Sequence, residues 1–174
     1  GLPVAIPRLF NCFGPGQIPG QYRDVIPNFL YWAMKGMPLP ITGTGDETRD
    51  FTFIGDVVRG LLLAGTCDDA VGEAFNLASG RETRIADLAA TINELTGNTA
   101  GTVQAGTRHW DVKKRVLASV AKADALLGWQ PSVDLRTGLE QSASWFRDNW
   151  DRIDAAARFG PGASSAVREV IADE

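Results

Sequence analysis

GMPLPITGTGDETRDFTFIGDV, residues 36–57, changes pattern three times in quick succession. Leu39 to Thr42 reads as a short strand, and Gly43-Thr44-Gly45-Asp46 reads as a turn. Arg49 to Ile54 reads as a second strand, with Phe51 and Phe53 alternating against polar neighbours. Asp56 to Ala64 then takes helical spacing. On the N-terminal side, Asp24 to Lys35 predicts a helix: Gly36 stands at its C-terminal stop, Pro38 lies just beyond, and Pro27 is tolerated in a first turn.

The same alternation extends in both directions. Pro3 to Phe10 predicts a buried strand, which Pro7 restricts to an edge or a bulge. Asn11 to Tyr22 is a Gly/Pro loop. Ala74 to Ala78 predicts a strand. Ile85, Leu88, Ala89, Ile92 and Leu95 give a helix closed by Gly97, with Thr83 as its N-cap. Further helices are expected from Ser119 to Gly128 and from Leu135 past Trp145. Strands and helices in alternation imply an α/β fold. Residues 1–150 form one expected unit, and 151–174, with Phe159-Gly160-Pro161-Gly162, an expected peripheral tail.

Composition narrows the function. The chain has 174 residues, 44% of them hydrophobic, enough for a packed core. Its formal net charge of -4 argues against a general nucleic-acid binder, which needs a broad basic face. With one histidine, His109, neither a His-based triad nor a multi-histidine metal site is expected. Cys12 and Cys67 fit neither a zinc nor a CxxC pattern, and two free thiols in a reducing cytosol are expected. No apolar run is long enough to span a bilayer. No signal peptide is read at Gly1-Leu2-Pro3-Val4, so a soluble, cytoplasmic protein is expected.

Two stretches imitate a dinucleotide fingerprint. Gly14, Gly16 and Gly20 follow a strand, but Pro15 and Pro19 interrupt them and no helix opens at the third glycine. Gly43-Thr44-Gly45 leads into a strand rather than a helix. The fingerprint works by presenting a helix N-terminus to a pyrophosphate, so both stretches read as turns.

More informative is a series of short segments in order. It contains Arg8-Leu9-Phe10-Asn11-Cys12-Phe13-Gly14-Pro15, then residues 36–43 and 48–57, then Phe75-Asn76-Leu77-Ala78-Ser79-Gly80. Arg108-His109-Trp110-Asp111 and Leu127-Gly128-Trp129-Gln130-Pro131 complete it. The series resembles the extended short-chain dehydrogenase/reductase family, specifically its NAD-dependent nucleotide-sugar epimerases, dehydratases and decarboxylases. The match runs from residue 3 to about residue 147.

The resemblance implies the C-terminal part of a doubly wound NAD-binding fold plus a small mixed α/β substrate-binding lobe. It implies an epimerase acting through a keto-sugar intermediate, with a dehydratase or decarboxylase as the same-class alternative. A stand-alone nucleotide-sugar-binding module, or a fragment that binds nothing, are the alternatives of another class. Family members place a glycine-rich NAD loop and a catalytic Tyr-x-x-x-Lys pair upstream of the segment resembling residues 3–11. The chain is therefore expected to be catalytically inactive alone, to lack NAD affinity, and to need an N-terminal NAD-binding half as partner. Tyr31 and Lys35 match Tyr-x-x-x-Lys but fall in the segment resembling a substrate-lobe helix, so they are expected to be a chance match. Self-association into a homo-oligomer is a further expectation, because Pro3–Phe10 lacks preceding strands to pair with.

By resemblance, Arg49 grips the diphosphate of a nucleotide sugar, a role suited to a planar guanidinium fork. The alternative for Arg49 is a surface pair with Asp46 or Asp50. Arg108 corresponds to a phosphate or ribose contact, Asp111 to an acceptor for a ribose hydroxyl, and Arg115 to a second phosphate contact. Asn11 corresponds to a hydrogen-bonding residue for the sugar diphosphate. Ile41 would lie along the nucleobase and Leu9 near the nicotinamide, and ordinary core packing is the alternative for both. Lys113 and Lys114 read equally well as a solvated basic loop.

Overall fold

The computed structural model describes residues 1–20, 24–106 and 113–157. It has an α/β architecture, as the alternation requires. The elements run β1 (Ile6–Leu9), β2 (Cys12–Phe13), α1 (Val25–Met34), β3 (Leu39–Thr42), β4 (Thr48–Arg49), β5 (Thr52–Phe53) and α2 (Ile54–Thr66). They continue through β6 (Ala74–Leu77), β7 (Thr83–Arg84), α3 (Ile85–Thr96), β8 (Thr102–Ala105), α4 (Ala121–Leu127), α5 (Leu135–Asp148) and α6 (Trp150–Ala156).

Four strand pairs organise the chain. β1 pairs with β6, β2 with β5 and β3 with β8, all parallel, while β4 pairs antiparallel with β7. An isolated bridge adds Arg115 beside Thr48. Two cores follow from this pairing. Phe75 and Leu77 of β6 pack with Ala64 of α2, Ala123 of α4 and Trp129. Here Gly60 is required by close approach, because a Cβ at this position would sit 2.7 Å from Leu77 and 2.9 Å from the Trp129 indole nitrogen. The larger core gathers α1, α3 and α5 around β2, β3 and β5. α1 is buried continuously from Ile26 to Ala33, consistent with a helix that is apolar all round.

Local signals set most helix ends. Gly36, Gly97 and Gly128 adopt positive φ immediately after or near the ends of α1, α3 and α4. The Asp134 carboxylate accepts from the Thr137 amide at 2.9 Å and caps α5. Thr83 lies in β7 rather than capping α3, whose preceding residue is Arg84.

Three expectations are corrected. The single strand over 49–54 is two pieces with different partners, since Arg49 pairs with Thr83 while Phe53 pairs with Phe13. Between them Asp50 and Phe51 leave the ladder, and all four residues from Asp50 to Phe53 are buried instead of alternating. The strand at 6–9 is not buried: Ile6 is 53% and Leu9 50% exposed. The boundary expected at residue 150 falls on a helix, since α6 continues to Ala156 and buries Ile153 in the main core. Residues 158–174 lie outside the described residues. No helix among the described residues is long and apolar enough to cross a membrane.

Candidate functional site

The turn after β3 is closed by one carboxylate. Glu47 accepts from the Gly45 amide at 2.9 Å and the Thr44 amide at 3.3 Å. Burial alone would raise its pKa, but the amides of Glu47, Thr44 and Gly45 outweigh that and hold it below the ordinary range. The closed turn feeds β4, where Arg49 enters a cavity of about 230 Å³ together with Asn11, Val25, Phe29, Pro40 and the carboxylates of Asp24 and Glu47. Arg49 is half-buried, and its Nη1 donates to the Thr48 carbonyl at 2.9 Å. Its apolar walls come from the start of α1 and from alternate residues of β3.

Asn11 reaches this cavity by a constrained route. Its φ of +28° lies in the left-handed region, which asparagine tolerates better than most residues. Its side-chain amide donates to the Asp50 carbonyl at 3.0 Å, and its own carbonyl accepts from the Thr52 amide at 3.4 Å. Asn11 and Arg49, 38 positions apart, therefore line one space.

Ile41 points the other way. It is 5% exposed and packs in the main core, while its neighbours Pro40 and Thr42 line the cavity. Its carbonyl accepts from Gln104 Nε2 at 3.3 Å. Leu9 ends β1, half-exposed. Arg108 and Asp111 lie outside the described residues, as does His109.

Arg115 is placed on a carboxylate. Its Nε and Nη2 meet the two oxygens of Glu82 at 2.6 and 2.8 Å, and Thr48 Oγ1 donates to the same group at 2.8 Å. The Arg115 hydrogen bonds first, then that of Thr48, pull the Glu82 pKa down to about 2. Strand alternation sends Thr48 and Arg49 to opposite faces of β4, so the structure does not bring Arg115 to Arg49. Glu82 instead borders a larger cavity of about 540 Å³ between residues 79–83 and 131–136. Arg136, on its other wall, is held by Glu94 and Glu140.

Two buried acids were not legible as site residues. Asp50, weighed in the sequence as a surface partner for Arg49, is fully buried; it accepts from Ser79 N and Oγ, Gly80 N and Ala118 N at 2.6–3.3 Å. Asp46, the other candidate partner, is bound by Arg84. Asp56 is 2% exposed and accepts from Ser132 N and Oγ, Val133 N and Arg59. Burial opposes its ionisation, but these donors prevail and its pKa is lowered. The signal that could have found Asp50 is an acid directly before the stretch Phe51-Thr52-Phe53, where a buried charge must be fully hydrogen-bonded.

Tyr31 and Lys35 are joined to α6 instead of a cavity. The Tyr31 hydroxyl and Lys35 Nζ both lie 2.7 Å from Asp154 Oδ1, and the Tyr31 ring stacks on Trp150.

The NAD implied by the resemblance requires backbone amides aimed at a pyrophosphate. Neither glycine stretch fits it. At Gly14 a Cβ would lie 2.3 Å from Ile54 Cγ2, so the glycine serves packing of β2 against α2. The helix that follows, α1, begins at Val25, past the third glycine, with Asp24 before it accepting from Gln17 at 2.9 Å. The Thr44 and Gly45 amides of the second stretch are taken by Glu47. Among the described residues, no group of His, Cys, Asp and Glu could hold a metal ion.

The chain is similar to one family model and to several known proteins. Residues 1–78 match the family model described as the NAD dependent epimerase/dehydratase family. An epimerase from Methanothermobacter thermautotrophicus is 52% identical, with a TM-score of 0.89 over 90% of this chain and 46% of that one. The UDP-glucose 4-epimerase of Thermotoga maritima, solved with UDP-glucose, is 32% identical, with a TM-score of 0.77 over 83% of this chain and 46% of that one. UDP-glucuronic acid decarboxylase 1 of Xenopus tropicalis is 33% identical over 84% of this chain and 34% of its own length. The chain thus spans less than half the length of these relatives. On the ordered motifs, the shared fold and these similarities, the chain belongs to the NAD-dependent epimerase/dehydratase family of extended short-chain dehydrogenases/reductases.

Proposed function

We propose that this chain is the nucleotide-sugar-binding part of an NAD-dependent sugar epimerase. The observation that carries the reading is the meeting of Asn11 and Arg49 in one cavity, between the apolar start of α1 and the backbone of β3. That combination suits a nucleoside diphosphate: apolar contacts from Val25, Phe29 and Pro40 for the base and a guanidinium fork for phosphate oxygens, in a lining that also carries the Asp24 and Glu47 carboxylates. Arg108 and Asp111 complete the nucleotide contacts in this reading, with Leu9 near the nicotinamide of the whole enzyme. Epimerase is preferred to decarboxylase because the Methanothermobacter epimerase shares 52% identity, against 33% for the Xenopus decarboxylase. The described residues supply substrate binding and orientation, which serve the chemistry through remote binding energy. They supply no pyrophosphate cradle, so the cofactor's redox chemistry belongs in this reading to a preceding NAD-binding half.

Titration with UDP tests the binding reading. Arg49→Ala removes a charge-assisted contact of about 1.5–3 kcal/mol, so affinity falls roughly ten- to a hundred-fold. Lys113→Ala stays near wild type. Equal binding by wild type and Arg49→Ala sinks the assignment, and tight stoichiometric binding of NAD by the chain sinks the division of labour.

A further inference from the structure

Asp50 sits at the point where three chain segments meet the nucleotide cavity. Its side chain and its backbone act on different groups. The carboxylate, 0% exposed, gathers the Ser79 amide at 2.7 Å, the Ser79 hydroxyl at 2.6 Å, the Gly80 amide at 3.0 Å and the Ala118 amide at 3.3 Å. Its backbone carbonyl accepts from Asn11 Nδ2 at 3.0 Å. The residue before it is Arg49, and strand alternation turns Arg49 toward the cavity as Asp50 turns inward. The residue after it is Phe51, which also lines the cavity.

We propose that Asp50 is a positioning residue that fixes Asn11 and Arg49 relative to each other, and both relative to the basic segment before Ala118. That segment is anchored twice on the same short stretch. Thr48 N donates to the Lys114 carbonyl at 2.9 Å and Val116 N donates to the Thr48 carbonyl at 3.1 Å, while Ala118 N reaches Asp50. A carboxylate suits this task because it accepts from four donors converging from two loops, whereas an amide offers one acceptor oxygen. The inference deepens the nucleotide-binding reading and rests on it only for its consequence for affinity.

Asp56 provides the control. It is equally buried and equally well supplied with donors, but it holds residues 132–133 and lines no part of the Arg49 cavity. In isotope-labelled protein, Asp50→Asn should shift the Asn11 side-chain amide and the Arg49 Nε–H resonances, and Asp56→Asn should leave both in place. UDP affinity should fall about tenfold in Asp50→Asn and stay within about twofold of wild type in Asp56→Asn, at matched folded fraction. Should Asp50→Asn not fold, Ser79→Ala removes one donor from the same carboxylate and should move the same two resonances by less. Unmoved Asn11 and Arg49 resonances, or equal movement in Asp56→Asn, overturn the positioning role. Moved resonances without loss of UDP affinity in either Asp50→Asn or Arg49→Ala leave Asp50 as a positioning residue and overturn the nucleotide reading instead.

Discussion

Tyr31 and Asp154, 123 positions apart, are joined by a 2.7 Å hydrogen bond from phenol to carboxylate. Lys35 Nζ reaches the same oxygen and lies over both the Tyr31 and Trp150 rings. A spacing that mimics a catalytic pair thus ties α1 to α6. Lys35, then Tyr31, lowers the Asp154 pKa, while burial, then Asp154, raises that of Tyr31. The Asp154 contribution is present above its ordinary value of 3.8 and is lost as pH falls through its lower folded value. The Tyr31 contribution is present below 10.0 and is lost as pH rises through its higher folded value. Asp154→Asn should lower the melting temperature at neutral pH, with the gap to wild type closing under acid. Tyr31→Phe should also destabilise while leaving UDP affinity unchanged; a loss of UDP binding would return this pair to the functional site.

Asp56 carries a larger structural burden. Its carboxylate holds Ser132 and Val133, and its carbonyl accepts from the Trp129 indole at 2.9 Å, so α2 and the segment after α4 are fastened at one residue. Asp56→Ala strands several buried donors and should cost about 3 kcal/mol in chemical denaturation. Because its pKa is lowered on folding, wild-type stability falls as pH drops through the folded value, and the variant should lack that component. A loss below about 0.5 kcal/mol would show that the loop finds other acceptors.

Local chemistry made the helices legible. Asp24 and Gly36 bracket α1, and Gly97 and Gly128 end α3 and α4 within a residue of expectation. Pairings between distant segments were not legible. β8 has three exposed residues of four and exists because β3 lies beside it, 63 positions earlier in sequence, so no periodicity announces it. The split of 49–54 has the same origin, since Arg49 is paired by Thr83 and Phe53 by Phe13, each from a distant segment. At the site, motif resemblance could name Asn11 and Arg49, but nothing in the sequence shows that Glu82 holds Arg115.

The first strand carries a prediction about association. Val4, Ile6 and Leu9 are 44–53% exposed, and Leu61 and Leu62 of nearby α2 are 40% and 67% exposed. Among the described residues β1 pairs only with β6, so its other edge offers unpaired backbone groups beside apolar side chains. Sedimentation of this chain should show concentration-dependent dimers or larger species, and Ile6→Lys with Leu9→Lys should shift it toward monomer. A monomer at high concentration in the unsubstituted chain would show that the edge is protected.

The last prediction separates the two arginines. Arg49 and Arg115 both suit phosphate, but the structure gives them opposite faces of β4 and different neighbours. Arg115 already has a bidentate partner in Glu82, whose pKa near 2 keeps that partner charged throughout the accessible pH range. To bind a phosphate it would have to exchange one fork-shaped anion for another, which gains little unless the ligand carries more charge into the site. Arg115 is also 68% exposed, so water competes for the same donors. Arg115→Ala should therefore change UDP affinity by less than about threefold, against the roughly ten- to hundred-fold loss for Arg49→Ala. In the same variant the Glu82 carboxyl should titrate back toward its ordinary 4.5, which carbon-detected NMR of the side chain reads directly. If Arg115→Ala weakens UDP as much as Arg49→Ala does, Arg115 leaves Glu82 when nucleotide binds, and the diphosphate reaches across β4.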